Sequence, residues 1–248
     1  MTEITVKLAG VPLRIRALFP ETAAFLRDYR SEEPPRYTLE MGEADLEQER
    51  ILDARGRAAE GKAPLRPEPR SLEQLALCRK LTETLLQENV LLFHGSALAL
   101  DGEAFLFAAP SGVGKSTHAR LWRELWGERV RMVNDDKPFL RVTSDGVLVC
   151  GSPWDGKHRL SENLCLPLRG ICFLEQAEQN EIRPLTAAEA FPRLYAQTHR
   201  PPEPEKLQRV LALLDDLSGT VKLYHLRCNR DPAAARLSCE TMREEKKT

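Results

Sequence analysis

Two short stretches carry side chains suited to holding and transferring a phosphoryl group: Phe105 to Thr117, FLFAAPSGVGKST, and Val133 to Asp136, VNDD. The first runs from an apolar segment into a loop of small residues that ends in Gly-Lys-Ser-Thr, where a helix can begin, and this is the pattern of a phosphate-binding loop. Gly112 and Gly114 admit backbone conformations closed to other residues, so in the loop Pro110-Ser111-Gly112-Val113-Gly114 the N–H groups from Ser111 onward can turn inward around phosphate oxygens. Lys115 then supplies a charged donor to the β- and γ-phosphates, and Ser116, with Thr117 beside it, offers a hydroxyl to magnesium. The strict pattern wants glycine five residues before Gly114, and this chain has Ala109 followed by Pro110. The bland alternative is a glycine loop that only caps a helix.

Transfer to a hydroxyl also needs a carboxylate that accepts its proton and a metal that neutralises the transferred group, so adjacent Asp135 and Asp136 can divide the two roles. A solvated turn is the competing reading, because Asn-Asp-Asp-Lys-Pro is also turn chemistry. His94 stands alone in the apolar stretch Val90 to Leu100, where a histidine is more often structural than functional. Gly151 to Arg159, GSPWDGKHR, holds Trp154, Gly156, Lys157, His158 and Arg159. That composition suits a loop closing over an anionic group, and equally an ordinary turn anchored by its tryptophan.

These residues need a scaffold, and 248 residues, 42% of them hydrophobic, can bury one large core with a small lobe. Acidic and basic residues number 37 and 36 and are interspersed, which argues against a nucleic-acid or anionic-membrane surface. The N-terminus lacks the basic start and apolar core of a signal peptide, and no apolar run reaches the ~18 residues of a membrane span. The expectation is a cytoplasmic protein. Six scattered cysteines without metal-ligand spacing read as reduced core residues.

Ile4 to Leu8 and Leu13 to Ala17 predict a hairpin, Glu21 to Tyr29 a helix and Tyr37 to Met41 a strand. Gly42 to Pro69 is charged and punctuated by glycine and proline, and reads as a loop or linker. Ser71 and Gln74 form a plausible capping box for a helix reaching Asn89. Val90 to Leu100 and Ala104 to Ala108 predict paired strands around Asp101-Gly102. Ser116 to Trp126 predicts a helix and Arg129 to Val133 a strand, so strand, loop, helix and strand form a βαβ-like unit. Beyond it come a hairpin over Phe139 to Val142 and Val147 to Cys150, and strands at Leu168 to Glu175, Glu181 to Pro184 and Lys222 to Leu226. Helices are expected at Ala187 to Gln197, Pro204 to Leu217 and Pro232 to Arg243. The expected domains are residues 1–69, a β-rich region with linker; 70–243, the catalytic domain; and 244–248, a charged tail.

His94-Gly95 before a strand, Ser111-Gly-Val-Gly-Lys-Ser116, and Asp135-Asp136 twenty residues on resemble the catalytic domain of HPr kinase/phosphorylase, in the phosphoenolpyruvate carboxykinase-like P-loop group. VNDDKP (Val133 to Pro138), Gly151 to Lys157 and Cys228-Asn229 are similar to stretches of HPr-kinase-like proteins of unassigned substrate. The resemblance covers roughly Ser71 to Arg236. It implies an α/β fold with a mixed-sheet kinase core. Asp135 would then be the acid/base for the acceptor hydroxyl, Asp136 and Ser116 the magnesium ligands, and His94 a neighbour of the transferred phosphate. The implied activity is ATP- and magnesium-dependent phosphorylation of a hydroxyl, foremost a serine of a protein or peptide, and the implied assembly a homo-oligomer. Ala109-Pro110 departs from the family's usual Gly-Asp, and the arginine-glycine segment that follows the family's aspartates has no clear counterpart. A nucleotide-binding regulatory module and a small-molecule kinase stand as alternatives.

Overall fold

The computed structural model describes residues 1–59, 61, 63, 65–156 and 159–244, and the chain divides into two compact units, Met1–Leu85 and Leu86–Thr248. In the first unit, β1 (Thr2–Leu8) and β2 (Val11–Ala17) pair antiparallel. Their two-residue turn, Ala9-Gly10, has positive φ at both positions (48° and 78°), matching the right-handed twist of the strands it joins. α1 (Pro20–Phe25) follows, and β3 (Tyr37–Glu40) adds parallel to β2.

The stretch expected to be a linker is instead largely helix, α2 (Glu43–Ala59). It buries only Leu46, so it lacks an apolar stripe. Its attachment to α3 (Pro69–Leu85) is ionic, with Lys80–Asp45 at 2.7 Å and Arg79–Glu49 at 3.2 Å. The prolines that suggested a break all lie beyond it. α3 starts two residues before the predicted capping box, with proline at its first turn, where a missing N–H costs nothing. This helix falls in the first unit, Met1–Leu85, rather than with the residues after it. The reason is Glu73: fully buried, it accepts hydrogen bonds from the N–H groups of Leu18 (2.5 Å) and Phe19 (3.3 Å) and from the Thr22 hydroxyl.

The second unit is a mixed α/β structure on a mixed sheet. Its strands are β4 (Val90–Leu92), β5 (Ser96–Leu100), β6 (Glu103–Ala108), β7 (Val130–Asn134), β8 (Phe139–Thr143), β9 (Gly146–Cys150), β10 (Cys165–Gln176), β11 (Glu181–Pro184) and β12 (Lys222–Cys228). The order is β4-β8-β9-β10-β6-β5-β7, with β12 also pairing with β10, and β11 with β12. The Val90 to Leu100 stretch is therefore two strands in different parts of the sheet. They part at Gly95, where a Cβ would lie 2.9 Å from Leu106 Cδ1 and 3.0 Å from the Phe107 carbonyl. β11 pairs with β12 rather than with the strand that precedes it.

Helix α4 (Lys115–Trp126) carries the chain from β6 to β7. The two strands are not neighbours, as a minimal βαβ unit would require, because β5 lies between them and pairs antiparallel with both. They consequently run parallel to each other. Their C-terminal ends, where the glycine loop and the aspartates follow, meet at the same side of the sheet.

β6 shows why the unit has helices on both faces. Ala104, Leu106 and Ala108 pack in a core with α5 (Ala187–Gln197) and α6 (Pro204–Thr220), whereas Phe105 and Phe107 pack with α4 and α7 (Pro232–Arg243). Strand alternation sends successive side chains to opposite cores. Trp122 fills the second core, its ring 5.1 Å from Phe105 and 5.4 Å from Phe107 between centroids.

Two of the six cysteines are not reduced. Cys150 and Cys165 stand opposite each other in the antiparallel β9–β10 register, with Cα atoms 4.0 Å apart, and form a disulfide. Cys78, Cys172, Cys228 and Cys239 are free.

One polar knot ties α4 to α7. Ser238 Oγ donates to the Ala235 carbonyl (2.9 Å) and accepts from Trp122 Nε1 (3.0 Å). Its single proton being used, His118 Nε2, also at 3.0 Å, must be the donor. Burial pushes the His118 imidazole down to about 4, so it is neutral in the fold. The unfolded chain binds the proton more readily, so the stability this site contributes is complete above the ordinary histidine pKa and is lost as pH falls toward 4. The expected loss is about 3 kcal/mol by pH 4. Urea unfolding at pH 7 and pH 4 should show it in the unaltered chain and not in His118→Gln, which does not titrate.

Candidate active site

The glycine loop follows β6 directly. Gly112 and Gly114 have φ of 82° and 124°, a region in which other residues are strained, and a Cβ at either would meet nothing within 4 Å. Conformation, not space, demands glycine here. Ala109 lies outside the positive-φ region, which is why alanine is accommodated where the usual pattern has glycine. Ala109→Gly is expected to leave nucleotide affinity within a few-fold, as measured by calorimetry.

α4 opens at Gly114 without a side-chain cap, and its first ring-closing bond runs from His118 N–H to the Gly114 carbonyl. The N–H groups of the preceding turn have no intrahelical acceptor, as at any helix start, and they face the same end as Lys115. Lys115 is only 9% exposed and folds back so that Nζ donates to the Ala109 carbonyl at 2.8 Å. Burial holds its pKa below the usual lysine value, partly offset by Asp136 and Asp135.

Asp135 and Asp136 leave β7 in different directions. Ser96, fully buried in β5, donates to Asp135 Oδ1 at 2.7 Å, and Ser116 Oγ approaches the same oxygen at 3.5 Å. Asp136 pairs with Lys137 at 2.6 Å and lies 3.6 Å from His94 Nε2. His94 sits in the break between β4 and β5, where its own N–H donates to the Gln197 carbonyl and that of Gly95 to the Asp136 carbonyl. Burial and the nearby Lys115 charge lower its pKa, so it is neutral near pH 7.

A cavity of about 560 Å³ gathers these groups. His94, Lys115, Ser116, Asp135 and Asp136 line it, with Ser111, Gly112, Gly114 and Thr117 on the loop side and Asp155 and Gly156 opposite. On the other side of the loop, a second cavity of about 260 Å³ lies between Gly112, Val113, Thr117 and Leu121 and the strand ends at Gln176 and Cys228, with Arg230 just beyond them. Gln176 Nε2 donates to the Val113 carbonyl at 3.0 Å, bracing the loop between the two.

Two contributors were not distinguished by residue type. Asn134 is fully buried: its Oδ1 accepts from the N–H groups of Asp136 (2.9 Å) and Lys137 (2.6 Å), and its Nδ2 donates to the carbonyls of Ser152 (3.0 Å) and Trp154 (3.4 Å). It binds the aspartate turn to the 151–156 segment. An asparagine two residues before a turn N–H is the signal that could have revealed it. Ser96, the other, was legible only as a hydroxyl in an apolar strand.

Within the 151–156 segment the structure shows the tryptophan anchor of an ordinary turn; the cationic side chains of a loop closing over an anion all follow it. Trp154 is buried as an anchor, and Gly156 lies against Asp135 so closely that a Cβ would come within 2.9 Å of its Oδ2. Burial raises the Asp155 carboxyl above its usual range. Arg159 is exposed and does not line the cavity, while Lys157 and His158 lie outside the described residues.

Among the described residues no three or more His, Cys, Asp or Glu side chains converge as a metal site. Magnesium does not require that: it is commonly held by one or two carboxylates, waters and substrate phosphates. The hard oxygen donors of Ser116, Asp135 and Asp136 fit it. Ser116 contacts Asp135 rather than Asp136, so the anticipated Ser116–Asp136 ligand pair shares the cavity without touching.

The family model described as SynChlorMet cassette protein ScmC matches residues 68–199, just over half of the chain's 248 residues. The chain belongs to this family. The ScmC region contains the glycine loop, both aspartates, His94 and Asn134, and ends before α6. No curated protein matches the chain. Among solved structures it is similar to the Hpr(Ser) kinase/phosphatase from Coxiella burnetii at 12% identity, with a TM-score of 0.37, over 62% of this chain and 99% of that one. No helix among the described residues is long and apolar enough to cross a membrane.

Proposed function

We propose that the chain is an ATP- and magnesium-dependent phosphotransferase acting on a hydroxyl, the acceptor being a serine of a protein or peptide. The observation that carries this reading is the convergence of Lys115, Ser116, Asp135 and Asp136 on one cavity at the start of α4. The loop N–H groups and Lys115 hold the phosphates, with the β- and γ-phosphates toward Lys115 and the nucleoside in the smaller cavity beside Gln176 and Arg230. Bound magnesium would neutralise charge on the phosphates, with Asp136 and Ser116 as its protein ligands. Neutral His94 adds a hydrogen-bonding group at the γ end without adding charge. Asp135, its Oδ1 held by Ser96, accepts the acceptor's proton. The new O–P bond forms as the bond from the γ-phosphorus to the bridging oxygen breaks, and the electron pair leaves with ADP.

The test is turnover of γ-labelled ATP by the full chain, with and without magnesium, beside a thermal melt. The reading expects magnesium-dependent stabilisation by ATP and slow hydrolysis, water replacing the hydroxyl. Stabilisation with no hydrolysis and no transfer would instead mark a regulatory nucleotide-binding module.

A further inference from the structure

A groove of about 510 Å³ leaves the site along α4, starting at Ser116 and Asp135 and flanked by Arg120 and Arg123, with Met132 and Leu160 across from them. Ser116, Arg120 and Arg123 are spaced i, i+4 and i+7, so they share one helix face. Ala119, on the same face, is buried beneath them. Asp135 lines both this groove and the cavity that holds Lys115 and Asp136, and so stands where the two meet. A proton acceptor at that junction has the phosphates on one side and the approaching hydroxyl on the other.

Beyond Asp135 the charges lining the groove are both positive. Arg120 shares its guanidinium with Glu124 of the same helix at 3.0 Å, and is 61% exposed at the side chain. The Arg123 side chain makes no ion pair among the described residues, and its backbone carbonyl accepts from Gly127 N–H at the helix end. The other arginine near the groove, on β7, is neutralised: Arg131 donates to Glu162 at 2.5 Å and 3.0 Å. From Ser116 to Arg123 is seven residues, or about 10 Å along the helix. An extended peptide covers that in about three residues.

We propose that this groove binds the acceptor as a peptide segment, with the target serine at Asp135 and an acidic side chain two to three residues away paired with Arg120 and Arg123. Met132, Ala119 and Leu160 give the intervening residues an apolar floor. Because the proposal rests on the phosphotransferase reading, the probes must separate the two. Two nonapeptides are compared, each with one serine and otherwise alanine and glycine, carrying glutamates or lysines three residues to either side of the serine. Transfer from γ-labelled ATP is followed with the full chain and with the charge-reversed R120E/R123E double variant.

The unaltered chain is expected to use the glutamate peptide at least ten-fold better in kcat/KM, since each exposed pair contributes a few-fold and the lysine peptide is repelled as well. The double variant is expected to prefer the lysine peptide, while its stabilisation by magnesium-ATP is unchanged. Equal use of the two peptides, transfer to neither, or an unchanged preference in the double variant overturns the proposal while ATP binding and hydrolysis leave the phosphotransferase reading standing. Absence of magnesium-ATP stabilisation in the unaltered chain overturns both.

Discussion

Asp135→Asn is expected to bind magnesium-ATP much as the unaltered chain does and to lose roughly 10²- to 10⁴-fold in phosphoryl transfer, the usual worth of a general base. Asparagine is nearly isosteric, and its carbonyl oxygen can still accept the Ser96 hydrogen bond that fixes Asp135 Oδ1. What it lacks is basicity at the junction between the two cavities. Asp136→Asn is the matched control: with its pairing to Lys137 and its place beside His94, Asp136 faces the phosphate end, and removing its charge should weaken binding and transfer together. Titration of both variants with magnesium-ATP, alongside ATP turnover, separates the roles. Loss of magnesium-ATP binding in Asp135→Asn with normal binding in Asp136→Asn would reverse them.

What could be read in the sequence divides along physical lines. The hairpins β1–β2, β5–β6 and β8–β9 and helices α4 to α7 announce themselves because each has apolar spacing or an apolar run of the right length, bounded by turn residues, glycine or proline. α2 does not, since Leu46 is its one buried residue and ion pairs to Arg79 and Lys80 attach it to α3. The break at Gly95 is hidden inside an apolar run, and is set by the crowding of Leu106 and Phe107 in another strand. The Cys150–Cys165 disulfide follows from strand register, which residue spacing alone did not disclose. At the site, the positions of Lys115, Ser116, Asp135 and Asp136 follow from two parallel strand ends, and local spacing expressed that. The supporting roles of Asn134 and Ser96 depend on hydrogen bonds to distant segments, so they emerge only once β5, β7 and the 151–156 segment are side by side.

Lys115→Ala is expected to weaken magnesium-ATP binding by roughly a hundred-fold, because it removes charge-assisted hydrogen bonds worth about 1.5–3 kcal/mol each. The side chain is buried in the cavity and already bound by a neutral carbonyl, so its ammonium can turn from the Ala109 oxygen to a phosphate without leaving its place in the wall. The fold should tolerate the change, since deleting this side chain strands only one carbonyl beside open space. Calorimetric titration of magnesium-ATP into the unaltered chain and into Lys115→Ala, with circular dichroism confirming that both are folded, therefore tests nucleotide binding at the glycine loop directly. Saturable binding by the unaltered chain with a loss of about two orders of magnitude in the variant is the predicted result; equal affinity in the two, or no binding by either, would contradict it.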